Sequence, residues 1–69
     1  MKYFLICEHN NHVIAIHKTF DSAYICYRMR SVKGDFKVVL TLTIVDTDDY
    51  GVLVNEVILH TYVKPNTDA

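Results

Sequence analysis

Two sets of residues alternate along Phe36–Val45, and this period of two is typical of a β-strand with one buried face. The first set is wholly apolar and consists of Phe36, Val38, Leu40, Leu42 and Ile44. The second set is mixed and consists of Lys37, Val39, Thr41, Thr43 and Val45. A second strand is predicted over Val52–Val63, after the polar turn Asp46–Gly51, so the two segments predict a β-hairpin.

The Val52–Val63 run also fits a helical stripe, but its β-branched residues favour a strand. We predict a register in which four pairs face each other: Ile44 with Leu53, Leu40 with Val57, Val38 with Leu59, and Phe36 with Thr61. The opposite face then carries Lys37, Val39, Thr41, Thr43 and Val45 across from His60, Ile58, Glu56, Val54 and Val52.

A second hairpin is predicted near the amino terminus, with strands Tyr3–Cys7 and Val13–Thr19 around the turn Glu8–His12. Asn10 and Asn11 tolerate the positive φ angles that a two-residue turn needs. Leu5 then faces Ile16 and Cys7 faces Ile14 on one side, while the other side carries Phe4, Ile6 and Ala15. A four-residue turn would shift this register by one, and the pattern leaves both open.

A helix is predicted over Asp21–Val32, between an N-cap at Thr19 or Asp21 and a C-terminal Gly34. Two stripes recur at helical spacing. The first consists of Ala23, Cys26 and Tyr27 with Arg30. The second consists of Ser22, Ile25, Cys26 and Met29, with Phe20 and Val32 at its ends, and being more apolar it is the better candidate for the core.

These elements predict an α+β fold, a small antiparallel four-stranded sheet of order β-β-α-β-β with one helix packed on one face. Residues 1–63 form the single domain, and 64–69 are predicted to be a flexible tail. One helix covers only one face of the sheet, so the other face needs a partner or a second copy. The predicted interface residues are Val39, Thr41, Val45, Val52, Val54 and Ile58.

Composition narrows the setting of the protein. The chain has 69 residues and a formal net charge of −1, which argues against general electrostatic binding to nucleic acid or to an anionic membrane. Cys7 and Cys26 follow no secretory signal, so we expect reduced thiols and a cytoplasmic location. The strand–turn–strand–helix opening over Met1–Lys33, with Thr-Phe-Asp-Ser-Ala at the helix start, resembles that of many short accessory proteins of bacteria and their phages.

Two motifs resemble metal sites without completing one. Cys7, His9 and His12 have ligand chemistry, and a fourth ligand would have to come from His17 or His60, but their spacing matches no closed zinc pattern. The Asp46–Gly51 segment resembles the start of a calcium loop, yet Val57 stands where that loop needs a glutamate. We therefore predict no metal or cofactor, and keep a metal-stabilised module as an alternative.

Charged and aromatic residues define a second candidate surface. Its helical part consists of Tyr24, Tyr27, Arg28, Arg30 and Lys33. Arginines beside stackable rings are one way to hold single-stranded nucleic acid, so a nucleic-acid-binding regulator is the runner-up function. A third surface is the predicted acidic turn with Asp46, Asp48 and Asp49, which could meet a basic partner.

No constellation of residues points to catalysis. Cys26 is predicted to lie on an apolar helix stripe, and with Gly34 and Gly51 as the only glycines no glycine-rich phosphate loop exists. The expected function is therefore a small non-enzymatic intracellular interaction protein that is homodimeric and binds and modulates another protein, for example as an inhibitor encoded by a phage or mobile element. We expect no small-molecule substrate and no membrane association.

Overall fold

The computed structural model describes residues 1–9 and 11–65, which form four strands and one helix. The elements are β1 (Lys2–Glu8), β2 (His12–His17), α1 (Phe20–Lys33), β3 (Val39–Thr47) and β4 (Leu53–Val63). The strands form one antiparallel sheet in the order β2-β1-β3-β4, and α1 packs on one face of it. The predicted α+β fold and the β-β-α-β-β order are confirmed.

The β1–β2 hairpin has the predicted register over most of its length. Leu5 pairs with Ile16 and Ile6 pairs with Ala15. Cys7 pairs with Val13 instead of Ile14, because a bulge between Ile6 and Cys7 shifts the register. Asn11 has a φ of 61°, as expected for an asparagine in this turn, and Asn10 lies outside the described residues.

Thr19, one of the two predicted N-caps, and the predicted C-terminal Gly34 are confirmed, and α1 is one residue longer at each end than predicted. Thr19 is the N-cap, and its side chain accepts a hydrogen bond from the Ser22 amide at 3.3 Å. This capping role explains why β2 stops at His17 instead of continuing to Thr19. Gly34 follows the helix with a φ of 70° and donates its amide to the Arg30 carbonyl, which is the left-handed termination that glycine permits.

The prediction of which helix stripe faces the core was wrong. Ala23 and Tyr27 are buried, whereas Ile25, Met29 and Val32 are 60%, 53% and 79% exposed. Packing decides the choice, because the small alanine lets the helix approach the sheet closely and the tyrosine ring buries a large area beside it. We call the three exposed residues Ile25, Met29 and Val32 the helix stripe.

The core lies between α1 and the two central strands. It consists of Ile6, Ala23, Tyr27, Phe36, Leu40 and Leu42. Leu42 pairs with Ile6 across β1 and β3, so both project onto the helix side of the sheet. Phe36 belongs to the connection before β3, yet it is buried. Its ring closes the core, and the Lys64 ammonium lies 5.1 Å from the centroid of that ring.

The predicted β3–β4 register was wrong. Ile44 pairs with Val57, not Leu53, and Leu40 pairs with Tyr62, not Val57. The turn explains most of the difference, and two bulges in β4 add the rest. In the turn, the Asp48 amide donates to the Val52 carbonyl at 3.0 Å, and Asp48 Oδ1 accepts the Tyr50 and Val52 amides at 2.9 Å each. This carboxylate caps a turn tighter than the predicted one, so β3 extends to Thr47.

The corrected register changes which β4 residues share each face. His60, expected on the uncovered face, pairs with Leu42 and therefore lies on the helix side. On the uncovered face, which we call the open face, Thr43 pairs with Ile58 and Val45 with Glu56. Two bulges leave Leu59 and Val54 without a partner on β3. At each bulge the alternation of β4 residues between the two faces of the sheet shifts by one.

The first two residues of the predicted tail, Lys64 and Pro65, lie within the described part of the chain. The Lys64 amide donates to the Val38 carbonyl at 2.8 Å, and its ammonium donates to the Phe36 carbonyl at 2.7 Å. These contacts extend the β3–β4 pairing beyond Val63. Residues 66–69 of the predicted tail lie outside the described residues.

Leu42→Ala should lower the free energy of unfolding by about 2–5 kcal/mol, because it removes buried methyl groups from the centre of the core. Val32→Ala, on the exposed helix stripe, should change it by no more than about 0.5 kcal/mol. Urea denaturation at one fixed protein concentration measures both values. Equal losses for the two variants would contradict the assignment of the core face.

Candidate functional site

β4 is the most exposed element of the fold. It lies at the edge of the sheet, and each of its eleven residues is exposed. Its apolar residues are Leu53, Val54, Val57, Ile58, Leu59, Tyr62 and Val63. Its length and its apolar residues are typical of a core strand, yet α1 packs mainly on β1, β3 and β2. The result is a large apolar surface without cover from the described chain.

The six predicted interface residues differ in their exposure. Val45 is buried, and Val39 and Thr41 are half-buried, although all three lie on the open face. Val45, for example, is paired on both sides, with Tyr3 of β1 and Glu56 of β4. Val52, Val54 and Ile58 are exposed, and Ile58 in particular is 56% exposed on the open face of β4. The accessible part of the predicted interface therefore consists of Val52, Val54 and Ile58, which we call the β4 margin.

The outer edge of β4 also offers backbone hydrogen-bonding groups. Because the Lys64 amide points toward β3, the alternation of an antiparallel ladder directs the amides of Thr61 and Val63 away from it. Within residues 1–9 and 11–65 no strand lies on that side. Exposed edges are commonly protected by lysine or proline, and Leu53–Val63 contains neither.

His60 has a structural role that the sequence did not reveal. Its ring centroid lies 5.4 Å from that of Tyr24, 5.7 Å from that of Tyr27 and 6.5 Å from that of Phe20. These rings pack His60 of the edge strand against the helix. The period-two pattern around His60 would have placed it correctly only with knowledge of the Leu59 bulge, which shifts the faces of β4.

The structure does not bring the basic and aromatic candidates into one surface. Tyr27 is 6% exposed, and this burial is the main reason why the pKa of its phenol is raised. Tyr24 is half-buried and stacks on Phe20 at 5.5 Å. Arg30 forms an ion pair with Asp35 at 3.3 Å. Arg28 and Lys33 are exposed on the helix without an exposed ring of this set beside them.

The acidic candidates differ in their structural roles. Asp46 lies within β3 and pairs with Asn55, while Asp48 caps the turn through its own carboxylate. Asp49 is exposed at the tip of the turn. The segment that resembles the start of a calcium loop is thus a hairpin turn.

The candidate metal ligands do not converge either. Cys7 is buried on the open face, whereas His9 and His12 are exposed around the first turn. Among residues 1–9 and 11–65 no three His, Cys, Asp or Glu side chains are grouped to hold a metal ion. Both cysteines are free thiols.

In the part of the chain that the structure describes, no helix has the length and apolar character needed to cross a membrane. No protein-family model, curated protein or solved structure matches the chain. The interpretation of the β4 surface therefore depends on its own geometry.

Cys7 should react with iodoacetamide more slowly than Cys26 at neutral pH. Its burial raises the pKa of the thiol despite a hydrogen bond with Thr41, so the reactive thiolate is scarce until the pH exceeds the usual range for cysteine. Alkylation rates against pH for Cys26→Ser and Cys7→Ser isolate the two thiols. A Cys7 rate that equals or exceeds that of Cys26 at pH 7 would contradict this assignment.

Proposed function

We propose that this chain is a small non-enzymatic interaction protein that forms a homodimer through β4 and binds and modulates another protein. The observation that carries the proposal is the eleven-residue apolar edge strand, exposed on its sides and along its outer backbone. Such an edge pairs readily with another strand, and pairing with a second copy protects it.

The two bulges of β4 favour a second copy as the strand that pairs with it. Val54 and Leu59, the residues unpaired with β3, lie on either side of Val57. Two β4 strands that run antiparallel about a two-fold axis at Val57 place Val54 of each copy across from His60 of the other. The Val54 bulge of each copy then lies one residue from the Leu59 bulge of the other. The extra twist at the bulges then occurs at nearly the same level in both strands. A regular strand from an unrelated protein lacks this match.

The same arrangement suits the side chains of the open face. It places Ile58 across from Glu56 of the other copy, so the two Glu56 carboxylates do not face each other directly. Backbone pairing alone contributes little area. A stable interface needs about 800 Å² per partner, so the exposed side chains at the β4 margin must take part.

We further propose a cytoplasmic location, which two free thiols support because reducing compartments keep cysteines unpaired. The resemblance of the first 33 residues to short accessory proteins supports origin in a phage or mobile element, with inhibition as one form of modulation. The runner-up function in nucleic-acid binding has less support, since Tyr27 is buried and Arg30 is paired with Asp35.

Ile58→Lys and Val54→Asp should each convert the dimer to a monomer, because each places a charge in an apolar interface. Size-exclusion chromatography with light scattering measures the mass, and circular dichroism verifies the fold. Ile25→Lys, a matched change at an exposed residue of the helix stripe, should leave the dimer intact. A wild-type monomer, or unchanged mass for both β4 variants, would refute the β4 dimer.

Thr61→Pro tests the pairing of the backbone. It removes an amide that points away from β3, so the β3–β4 ladder should survive while the contact with the second copy is lost. Thr61→Ala keeps the amide and should remain dimeric. We expect a dissociation constant at least about tenfold higher for the proline variant by analytical ultracentrifugation. Equal constants for both variants would exclude edge pairing.

A further inference from the structure

The helix stripe is a second apolar surface, separate from β4. Ile25, Met29 and Val32 follow one another at the spacing of a helix ridge and project away from the sheet. They are not part of the core, which α1 meets through Ala23 and Tyr27. The chain therefore displays aliphatic side chains on its only described helix without using them for folding.

Two shallow grooves flank this ridge. One, of about 340 Å³, lies toward the Arg30–Asp35 ion pair and includes Ile25, Cys26 and Met29 in its lining. The other, of about 320 Å³, lies between Arg28, Met29, Val32 and Lys33. A ridge between two grooves is the shape that receives the side chains of another helix. Each volume is at the lower end of the roughly 300–1,000 Å³ of ligand pockets, which suits a few side chains.

The charges around the stripe are mainly positive. Arg28, Arg30 and Lys33 lie around the grooves, and among residues 1–9 and 11–65 Asp35 is the single acidic residue that lines them. The formal charge of these four residues is +2, in a chain whose net charge is −1. At the nearby C-terminal end of the helix, the Arg30 carbonyl accepts the amides of Gly34 and Asp35. An acidic occupant would therefore complement this surface.

The chemistry of the ridge distinguishes a peptide from a nucleic acid. Bases stack on exposed aromatic rings, but the exposed ridge is formed by aliphatic side chains and a thioether. Methionine adapts to apolar side chains of varied shape and is common on peptide-binding surfaces. A second copy of α1 is also a poor occupant, since its own exposed end is basic.

We propose that the helix stripe binds an acidic amphipathic helical segment of another protein. Apolar side chains of that segment enter the two grooves, and its carboxylates meet Arg28 and Lys33. This surface is where the proposed modulated partner docks. The inference depends on the proposed function only in that respect, because it does not require the β4 dimer.

The test begins with a display library of random peptides about 20 residues long, which is long enough to form a helix. The library is selected on the immobilised wild-type chain and counter-selected on the Ile25→Ser/Met29→Ser variant. Both residues are exposed, so the variant should keep its fold, which circular dichroism checks. We expect enriched peptides with apolar residues at helical spacing, flanked by aspartate and glutamate.

An enriched peptide, labelled with a fluorophore, then provides affinities by anisotropy. Ile25→Ser/Met29→Ser and Arg28→Glu/Lys33→Glu should each weaken binding at least about tenfold. Ile58→Lys is the matched control, because Ile58 and Met29 have similar exposure, 56% and 53%. It should break the β4 dimer and leave the affinity for the peptide unchanged, so the two proposals fail or succeed separately.

Three results would overturn the inference. The first is a selection without enrichment, and the second is enrichment of peptides that are not acidic or that bind the serine variant equally well. The third concerns a labelled single-stranded oligonucleotide. If it binds, and binding is lost in Arg28→Glu/Lys33→Glu but kept in Ile25→Ser/Met29→Ser, the surface is one for nucleic acid.

Discussion

The packing of one helix on two central strands is the contact on which the whole structure depends. Ala23 and Tyr27 of α1 meet Ile6, Leu40 and Leu42 there, and this contact supplies most of the core. A chain of this size can cover only part of a four-stranded sheet. The position of the helix over β1 and β3 therefore determines which apolar residues stay exposed, and these lie on β4 and on the outward side of α1.

The two exposed surfaces differ in what they offer. β4 combines apolar side chains with an open backbone edge, which suits strand pairing with a copy that has the same bulges. The helix stripe offers side chains alone, with basic residues around it. A protein that pairs through β4 and binds through α1 would present two stripes per dimer, so a partner with two acidic segments would gain avidity.

The small size of the core relative to the exposed surfaces also limits the stability of the fold. Its small core leaves little stability in reserve, so a dimer that covers β4 would add stability by mass action. His60 connects the edge strand to the aromatic rings of α1, at distances of 5.4 Å to Tyr24 and 5.7 Å to Tyr27. Tyr62 adds a second aromatic contact, with its ring centroid 5.8 Å from that of Phe36, and pairing with β3 is the main support for the rest of β4.

The sequence by itself determined the elements, because alternation in Phe36–Val45, the N-cap at Thr19 and the glycine at position 34 act locally. It also determined the β-β-α-β-β order, the antiparallel pairing of the strands and most of the register of the first hairpin. It left open the register of β3 and β4 and the face of α1, and our predictions for both were wrong. Only the tertiary structure decided these, because a side-chain cap at Asp48, bulges at Val54 and Leu59, and the fit of Ala23 and Tyr27 to the sheet depend on residues brought together by folding.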